Sequence, residues 1–340
     1  MTRPPAPRPR LGFLGTGWIG RHRLEAVAAS GAAEIAAIVD PLPGNAEAAR
    51  ALAPDAALLP SLDALLEAPL DGIVIATPSA LHADQTATAV AHGLAVFCQK
   101  PLGRSAEETA RAVEAARSAD RLLAVDLCYR HVEAARQVRE LVLGGELGEV
   151  FAADLVFHNA YGPDKAWFYD PAQSGGGCVI DLGIHLIDLA LWTLGFPGVA
   201  ATSARLFAGG APLNGRSDRI EDYAVATLDL DSGAVARLAC SWNLSAGCDA
   251  VIGAEFFGTG GSAAIRNVDG SFYDFRATRA RGTATTTLIE PPDAWGGRAV
   301  VAWARRLATD PGFDEEAGRL VDLAGAIDAI YGRRAAVGAT

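Results

Sequence analysis

Lysine is scarce in this chain: of 29 lysine and arginine residues, only Lys100 and Lys165 are lysines. Arginine stays protonated and serves solvated faces and ion pairs, whereas a lysine ammonium is compact and its pKa falls on burial, so a lysine kept against that bias is a candidate for chemistry. Lys100 sits in Gln99-Lys100-Pro101, directly after the apolar run Leu94-Ala95-Val96-Phe97-Cys98, where a buried strand would end at a cleft. Drift is the competing explanation, since a rare residue must sit somewhere. A second group lies in the run Gly175 to Trp192, a glycine loop entering a strongly apolar helix. Asp181, His185 and Asp188 fall there at i, i+4 and i+7 and so share one helix face. A carboxylate one turn from a histidine can hold the imidazole in one tautomer and tune it as the acid/base group that a hydroxyl requires. A buried Asp–His pair that satisfies itself inside a core fits the same spacing. Zinc, with His158 as a further ligand, is a third reading, but no His-Glu-x-x-His or comparable cluster supports it and no metal is expected.

Elements must position these groups, and the first is legible near the N-terminus. Leu11-Gly12-Phe13-Leu14 reads as a strand running into Gly15-Thr16-Gly17-Trp18-Ile19-Gly20, after which Arg21 to Ser30 has helical composition. In this G-x-G-x-x-G spacing Gly15 permits the tight turn, Gly17 lets backbone amides approach a pyrophosphate, and Gly20 lets helix and strand pack closely. The helix N-terminus then faces the anion. A chain with 37 glycines meets the motif by chance, and Trp18 could be a core aromatic; the next strand, Glu34 to Val39, supplies the context. It ends in Asp40, about twenty residues past the motif, where a carboxylate takes the ribose hydroxyls of NAD and repels the 2′-phosphate of NADP. Asp40 opening a turn before Pro41 is the alternative. Helix Ser61–Ala68, strand Gly72–Ala76, helix His82–His92, the strand before Lys100, helix Ala106–Ala119 and strand Leu122–Val125 continue the alternation. This predicts an α/β Rossmann domain with a parallel sheet and ligands at the carboxyl ends of its strands. Thr77, Pro78 and His82 follow one such end; His82 could touch cofactor phosphate or ribose, or cap its helix.

Beyond Asp126 the texture changes. Val132–Leu143 is helical, and Val150–Phe157, Ala224–Leu230, Val235–Trp242 and Ala254–Phe257 alternate as strands of a mainly antiparallel open sheet with one covered face, an α+β domain. The chain therefore divides into a disordered tail (1–10), a Rossmann domain (11–126), an α+β domain for substrate and oligomerisation (127–314) and a C-terminal helix packing back (315–340), whose Leu320, Leu323, Ile327 and Ile330 have helical spacing. A net charge of −11 and the absence of a basic stripe exclude a nucleic-acid partner. No segment reaches transmembrane length or resembles a signal peptide, so a cytoplasmic protein without a membrane partner is expected. Five cysteines without a Cys-x-x-Cys pair suit free thiols in a reducing compartment.

Taken together, the glycine fingerprint, Ala76-Thr77-Pro78 with His82, Gln99-Lys100-Pro101, and Gly175-Gly176-Gly177 leading to Asp181 and His185 resemble the glucose-fructose oxidoreductase / inositol dehydrogenase / rhizopine-catabolism (Gfo/Idh/MocA) family over most of the chain. The resemblance implies an N-terminal Rossmann domain, a C-terminal α+β domain whose open sheet makes oligomer contacts, a dimer or tetramer, and a nicotinamide cofactor in the cleft between the domains. Lys100 matches the family's Glu-Lys-Pro lysine, Asp181 its substrate-orienting aspartate and His185 its acid/base histidine; Arg130 is similar in placement to a residue near the cofactor. Gln99 departs from the usual glutamate and brings no negative charge beside Lys100, so the lysine pKa is expected to fall below that of a relative with glutamate.

The expected reaction is reversible hydride transfer between NAD and a secondary alcohol of a sugar or cyclic polyol. His185 takes the hydroxyl proton, Asp181 orients it and the substrate, and Lys100 hydrogen-bonds the reacting oxygen. His158, Asn159, Lys165 and Trp167 are candidate substrate contacts, with a surface loop as the alternative. Two rival readings stand: a lyase or glycosidase that uses tightly bound NAD for transient oxidation, and a non-catalytic sugar- or NAD-sensing regulator, which need not retain Lys100, Asp181 and His185.

Overall fold

The computed structural model describes residues 8–213 and 219–333. In chain order the elements begin β1 (Arg10–Leu14), α1 (Trp18–Ser30), β2 (Glu34–Val39), α2 (Pro43–Arg50), β3 (Ala57–Leu58), α3 (Leu62–Leu66), β4 (Gly72–Ile75), α4 (Ser79–Ala91), β5 (Ala95–Cys98), α5 (Ala106–Ser118) and β6 (Leu123–Val125). Then come α6 (Glu133–Leu143), β7 (Val150–Asn159), α7 (Pro171–Ser174), α8 (Ile184–Thr193), β8 (Val199–Ala208), β9 (Ala211–Leu213), β10 (Tyr223–Leu230) and β11 (Val235–Ser241). The chain closes with β12 (Ala250–Gly258), β13 (Gly261–Asn267), β14 (Phe275–Arg281), β15 (Ala284–Ile289), α9 (Arg298–Leu307) and α10 (Arg319–Ile330). Among the described residues they form two compact units: residues 8–103, 108–126 and 297–321, and residues 104–107, 127–213, 219–296 and 322–333.

The first unit is a six-stranded parallel sheet in the order β3-β2-β1-β4-β5-β6. Its strands are apolar on both faces because helices cover both sides, so Leu11, Phe13, Ile73, Val74, Val96 and Phe97 are all buried. The strand order reverses between β1 and β4, which pair from Leu11↔Gly72 to Leu14↔Ile75, and a doubly wound sheet opens its ligand crevice at that point. Local chemistry sets the boundaries: Gly31 ends α1 in the left-handed conformation, its N–H bonding Val27 O, and the Ser61 hydroxyl caps α3 by accepting from Ala64 N. Residues 297–321, expected in the second domain and the C-terminal helix, belong to this unit. Their helix α9 lays Val300, Trp303 and Leu307 into the core beside Phe97, and Gly72 and Gly297 give it room. The predicted tail is shorter than residues 1–10, since Arg10 opens β1 and pairs with Glu34; Met1–Pro7 lie outside the described residues.

The second unit is built on a nine-stranded sheet, β15-β14-β13-β12-β7-β11-β10-β8-β9, antiparallel except where β7 and β11 run parallel. Alternation puts Ala153, Leu155 and Phe157 of β7 on the face covered by α6 and α8, and Asp154, Val156 and His158 on the other. That second face carries a groove of about 650 Å³ lined by Asp154, Val156, Arg205, Val225 and Arg237 among others. The run Pro171–Thr193 is long and apolar enough to cross a membrane, but 94% of its most apolar window is buried inside the protein, as suits a core helix. The cysteines of the described residues are free, with Cys98, Cys178 and Cys240 buried.

Candidate active site

Each unit carries its own set of candidate side chains. In the first, the glycine loop is shaped by contacts that only glycine allows at two positions. Gly15 has φ +84°, and a Cβ there would lie 2.6 Å from Ala76 O; at Gly20 it would lie 2.1 Å from Gly15 O. Gly17 differs, because a Cβ would meet nothing within 4 Å among the described residues. Close packing among the described residues does not account for it, and the space in front of its backbone is open. The N-terminus of α1 has no side-chain cap and no acidic residue in its first turn, which suits an anion. Thr16 is buried, while Trp18 is 63% exposed. Asp40 opens the turn considered for it and also bonds the glycine loop. Its Oδ2 accepts from Thr16 N (2.6 Å) and Oγ1 (3.2 Å), and its Oδ1 accepts from Leu42 N (2.9 Å), opening the turn before α2. The carboxylate thereby ties the strand end to the glycine loop, and the loop Pro41–Asn45 carries no basic residue.

His82 is buried with Nδ1 2.7 Å from Pro101 O and Nε2 2.7 Å from Thr77 O. Both ring nitrogens bond strand-end turns, so His82 joins Thr77-Pro78 to Lys100-Pro101. Burial pushes its imidazole below the usual value, while the two carbonyls favour the protonated ring. Thr77 Oγ1 bonds Gln85 Oε1 at 2.6 Å.

Gln99 has a partner that its surroundings in sequence do not reveal. Its Nε2 donates to Asp126 Oδ2 at 2.6 Å, and the same oxygen accepts from Arg23 Nε at 2.5 Å. The Arg23 and Asp126 side chains are 6% and 1% exposed. Gln99 itself brings no charge, and its amide bonds a carboxylate from the end of the adjacent strand, where Cys98 pairs with Val125. Asp126 follows apolar Leu122–Val125 as Gln99 follows β5, but nothing in the sequence pairs the two strand ends.

In the second unit the predicted single helix begins instead as a π turn, Val179–Gly183, before continuing as α8. Such turns recur at functional sites because they re-aim side chains. Asp181, His185 and Asp188 consequently meet different partners. Asp181 Oδ2 accepts from Trp242 Nε1 at 3.1 Å. The His185 ring, 7% exposed, sits edge-on to Tyr129 with centroids 4.9 Å apart and against Phe157 at 6.3 Å. Asp188 takes Arg130 in a bidentate pair, Nη2 to Oδ1 at 2.5 Å and Nε to Oδ2 at 2.9 Å, and the guanidinium lies over Phe196. Arg130 thus has a structural anchor in addition to the cofactor role expected of it.

The substrate candidates separate. His158 lies on the sheet face opposite Phe157, stacked on Tyr223 and bonded to Ser241 Oγ at 2.8 Å, so strand alternation carries it away from His185. Asn159 returns to the covered side, and its Oδ1 is buried without a hydrogen-bond partner among the described residues. Trp167 stacks on Phe168 at 3.8 Å in a 3₁₀ turn, and Lys165 is exposed beside Asp164. Sequence reasoning missed Trp242 and Tyr169, whose rings pack 5.6 Å apart next to Asp181. Among the described residues no group of three His, Cys, Asp or Glu side chains could hold a metal ion.

A Gly-rich loop at the switch point of a doubly wound sheet, followed by an α+β unit bearing an aspartate–histidine helix, defines a two-domain dinucleotide-binding protein of oxidoreductase type. Residues 10–127 match the model of an oxidoreductase family with an NAD-binding Rossmann fold, and residues 135–264 match the GFO/IDH/MocA C-terminal domain. The chain is 30% identical to D-xylose 1-dehydrogenase (NADP(+)) 2 of Haloferax volcanii over 94% of its own length and 96% of that protein. It is 33% identical to the rhizopine catabolism protein MocA of Rhizobium meliloti over 59% of its own length, spanning 62% of that relative. A levoglucosan dehydrogenase in complex with NADH and levoglucosan shares the fold, with a TM-score of 0.80, 21% identity and coverage of 95% of this chain and 96% of that one. The chain belongs to the Gfo/Idh/MocA oxidoreductase family.

Proposed function

We propose that the protein is an NAD-dependent dehydrogenase that transfers hydride reversibly between the cofactor and a secondary alcohol of a sugar or cyclic polyol. The observation that carries this reading is the buried His185 imidazole on the same helical segment as Asp181, whose carboxylate a tryptophan N–H holds in place. The nicotinamide, when bound, supplies the hydride acceptor or donor. Gly17 and the open N-terminus of α1 hold the pyrophosphate, and Asp40 faces the ribose; with no basic residue in Pro41–Asn45, a 2′-phosphate finds no counter-charge, which favours NAD. His185 exchanges the hydroxyl proton, Asp181 orients His185 and the substrate, and the Lys100 ammonium hydrogen-bonds the reacting oxygen as alkoxide character develops. Asn159, Trp167 and Trp242 line the substrate side. Copies associate through the open face of the nine-stranded sheet, and the work is done in the cytoplasm.

The test follows nicotinamide absorbance with NAD or NADP against inositols, aldoses, deoxysugars and amino sugars. The reading expects net NADH formation with at least one, at higher kcat/KM than NADPH formation. Bond cleavage or elimination without net NADH would replace it with the transient-oxidation lyase or glycosidase.

A further inference from the structure

The first amides of a helical segment have no acceptor within the segment. In the segment that carries Asp181 and His185 these are Gly177, Cys178, Val179 and Ile180, since Asp181 N is the first to bond back, to Gly177 O at 3.1 Å. Two residues distant in sequence satisfy all four. Glu221 Oε1 accepts from Gly177 N (2.9 Å) and Val179 N (3.0 Å), and its backbone carbonyl accepts from Cys178 N (3.1 Å). The Tyr331 hydroxyl accepts from Ile180 N at 3.3 Å and donates to Glu221 Oε1 at 2.7 Å. Glu221 is 3% exposed, so this carboxylate is committed to the turn and not to solvent.

Two of the three loop glycines, Gly176 and Gly177, are explained by the same anchors. A Cβ at Gly176 would stand 2.1 Å from the Tyr331 hydroxyl, and one at Gly177 would stand 2.0 Å from the Glu221 carbonyl. The loop is glycine-rich because its backbone must touch a carboxylate and a phenol. A negative charge placed against the first amides also opposes the positive end of the helix dipole, which is where an acid stabilises a helix most.

We propose that Glu221 and Tyr331 are positioning residues for the proposed reaction: they fix the turn from which Asp181 and His185 project, and through Tyr331 the end of α10 bears on hydride transfer. The inference rests on the dehydrogenase reading above. Its test uses the full chain with Glu221→Leu, Glu221→Gln and Tyr331→Phe, the oxidised product of the substrate found by the panel, and NADH deuterated at C4 in the reductive direction. Glu221→Leu lowers kcat by about 10²-fold, the scale set by small misplacements of reacting groups. It also raises the primary isotope effect, because hydride transfer becomes more rate-limiting. Glu221→Gln, whose carboxamide oxygen can still accept from Gly177 and Val179, recovers part of that loss, and Tyr331→Phe falls between it and the native protein. The NADH dissociation constant stays within about twofold in every variant, as expected for residues that act through the turn amides they bond. Native kcat and isotope effect in the Leu and Phe variants would overturn the proposal. So would a loss of activity that tracks the folded fraction at constant isotope effect, since that is what a purely structural role produces. A native protein that transfers hydride with no member of the panel overturns the dehydrogenase reading instead, and this is read before the variants are compared.

Discussion

Position 99 shows how one side chain is chosen by its neighbour. A glutamate there would set two carboxylates at the 2.6 Å now spanned by the Gln99–Asp126 hydrogen bond, inside a buried site where Arg23 offers one counter-charge. Gln99→Glu is therefore expected to destabilise the protein by about 3 kcal/mol at neutral pH, the cost typical of an uncompensated buried charge. One of the two carboxyls is held above its ordinary value, so the variant binds an extra proton when folded. Its deficit against the native protein is small at or below the ordinary carboxylate range, and grows as pH rises through the raised value. Combining Gln99→Glu with Asp126→Asn restores one carboxylate, one guanidinium and one amide, and should recover most of the loss; thermal melts of the native protein, the two single variants and the double variant from pH 4 to 8 measure this. The motif residues Lys100, Asp181 and His185 were legible in sequence because type and spacing marked them. The Gln99–Asp126–Arg23 cluster was not, because Asp126 lies 27 residues from Gln99 and 103 from Arg23 and only strand register brings them together.

At the scale of elements, the glycines separate packing from binding. Gly15→Ala strains a left-handed backbone and Gly20→Ala collides with Gly15 O, so both should lower the melting temperature. Gly17→Ala meets open space and should leave stability within about 1 kcal/mol. It should instead weaken NADH binding at least tenfold by fluorescence titration; equal binding would remove the loop from the cofactor site. The Glu221 anchor has a pH signature of its own. Burial raises its carboxyl above the ordinary value while the amides and Tyr331 pull it back, and Tyr331 and Cys178 are the titratable groups set against it. A raised carboxyl contributes stability that is full below its unfolded pKa and is lost as pH rises through the folded one. The stability advantage of the native protein over Glu221→Gln should accordingly shrink from pH 4 upward, as paired melts can show. In the first unit β1, β2, β4, β5, β6, α1, α3, α4 and α5 were readable from period and glycine punctuation, whereas α2, β3 and α9 were not. The π turn was not, because an apolar run buried on nearly every side has no period to betray a change from 3.6 residues per turn.

At the scale of the whole molecule, the first unit recruits residues 297–321 from the far end of the chain. Boundaries drawn after Asp126 and after Asp314, where the texture of the sequence changes, could not anticipate this, since α9 contributes Trp303 and Leu307 to a core built from residues near the N-terminus. The uncovered face of the nine-stranded sheet exposes Val225 beside the Asp154–Arg237 pair. If copies associate there, Val225→Glu should lower the mass measured by light scattering without shifting the melting temperature of the isolated chain. If Lys100, Asp181 and His185 serve one hydride transfer as proposed, Lys100→Met shows it most directly. With the best substrate of the panel, turnover should fall by about 10²- to 10⁴-fold with the NADH dissociation constant unchanged within about twofold. Near-native turnover in that variant would contradict it.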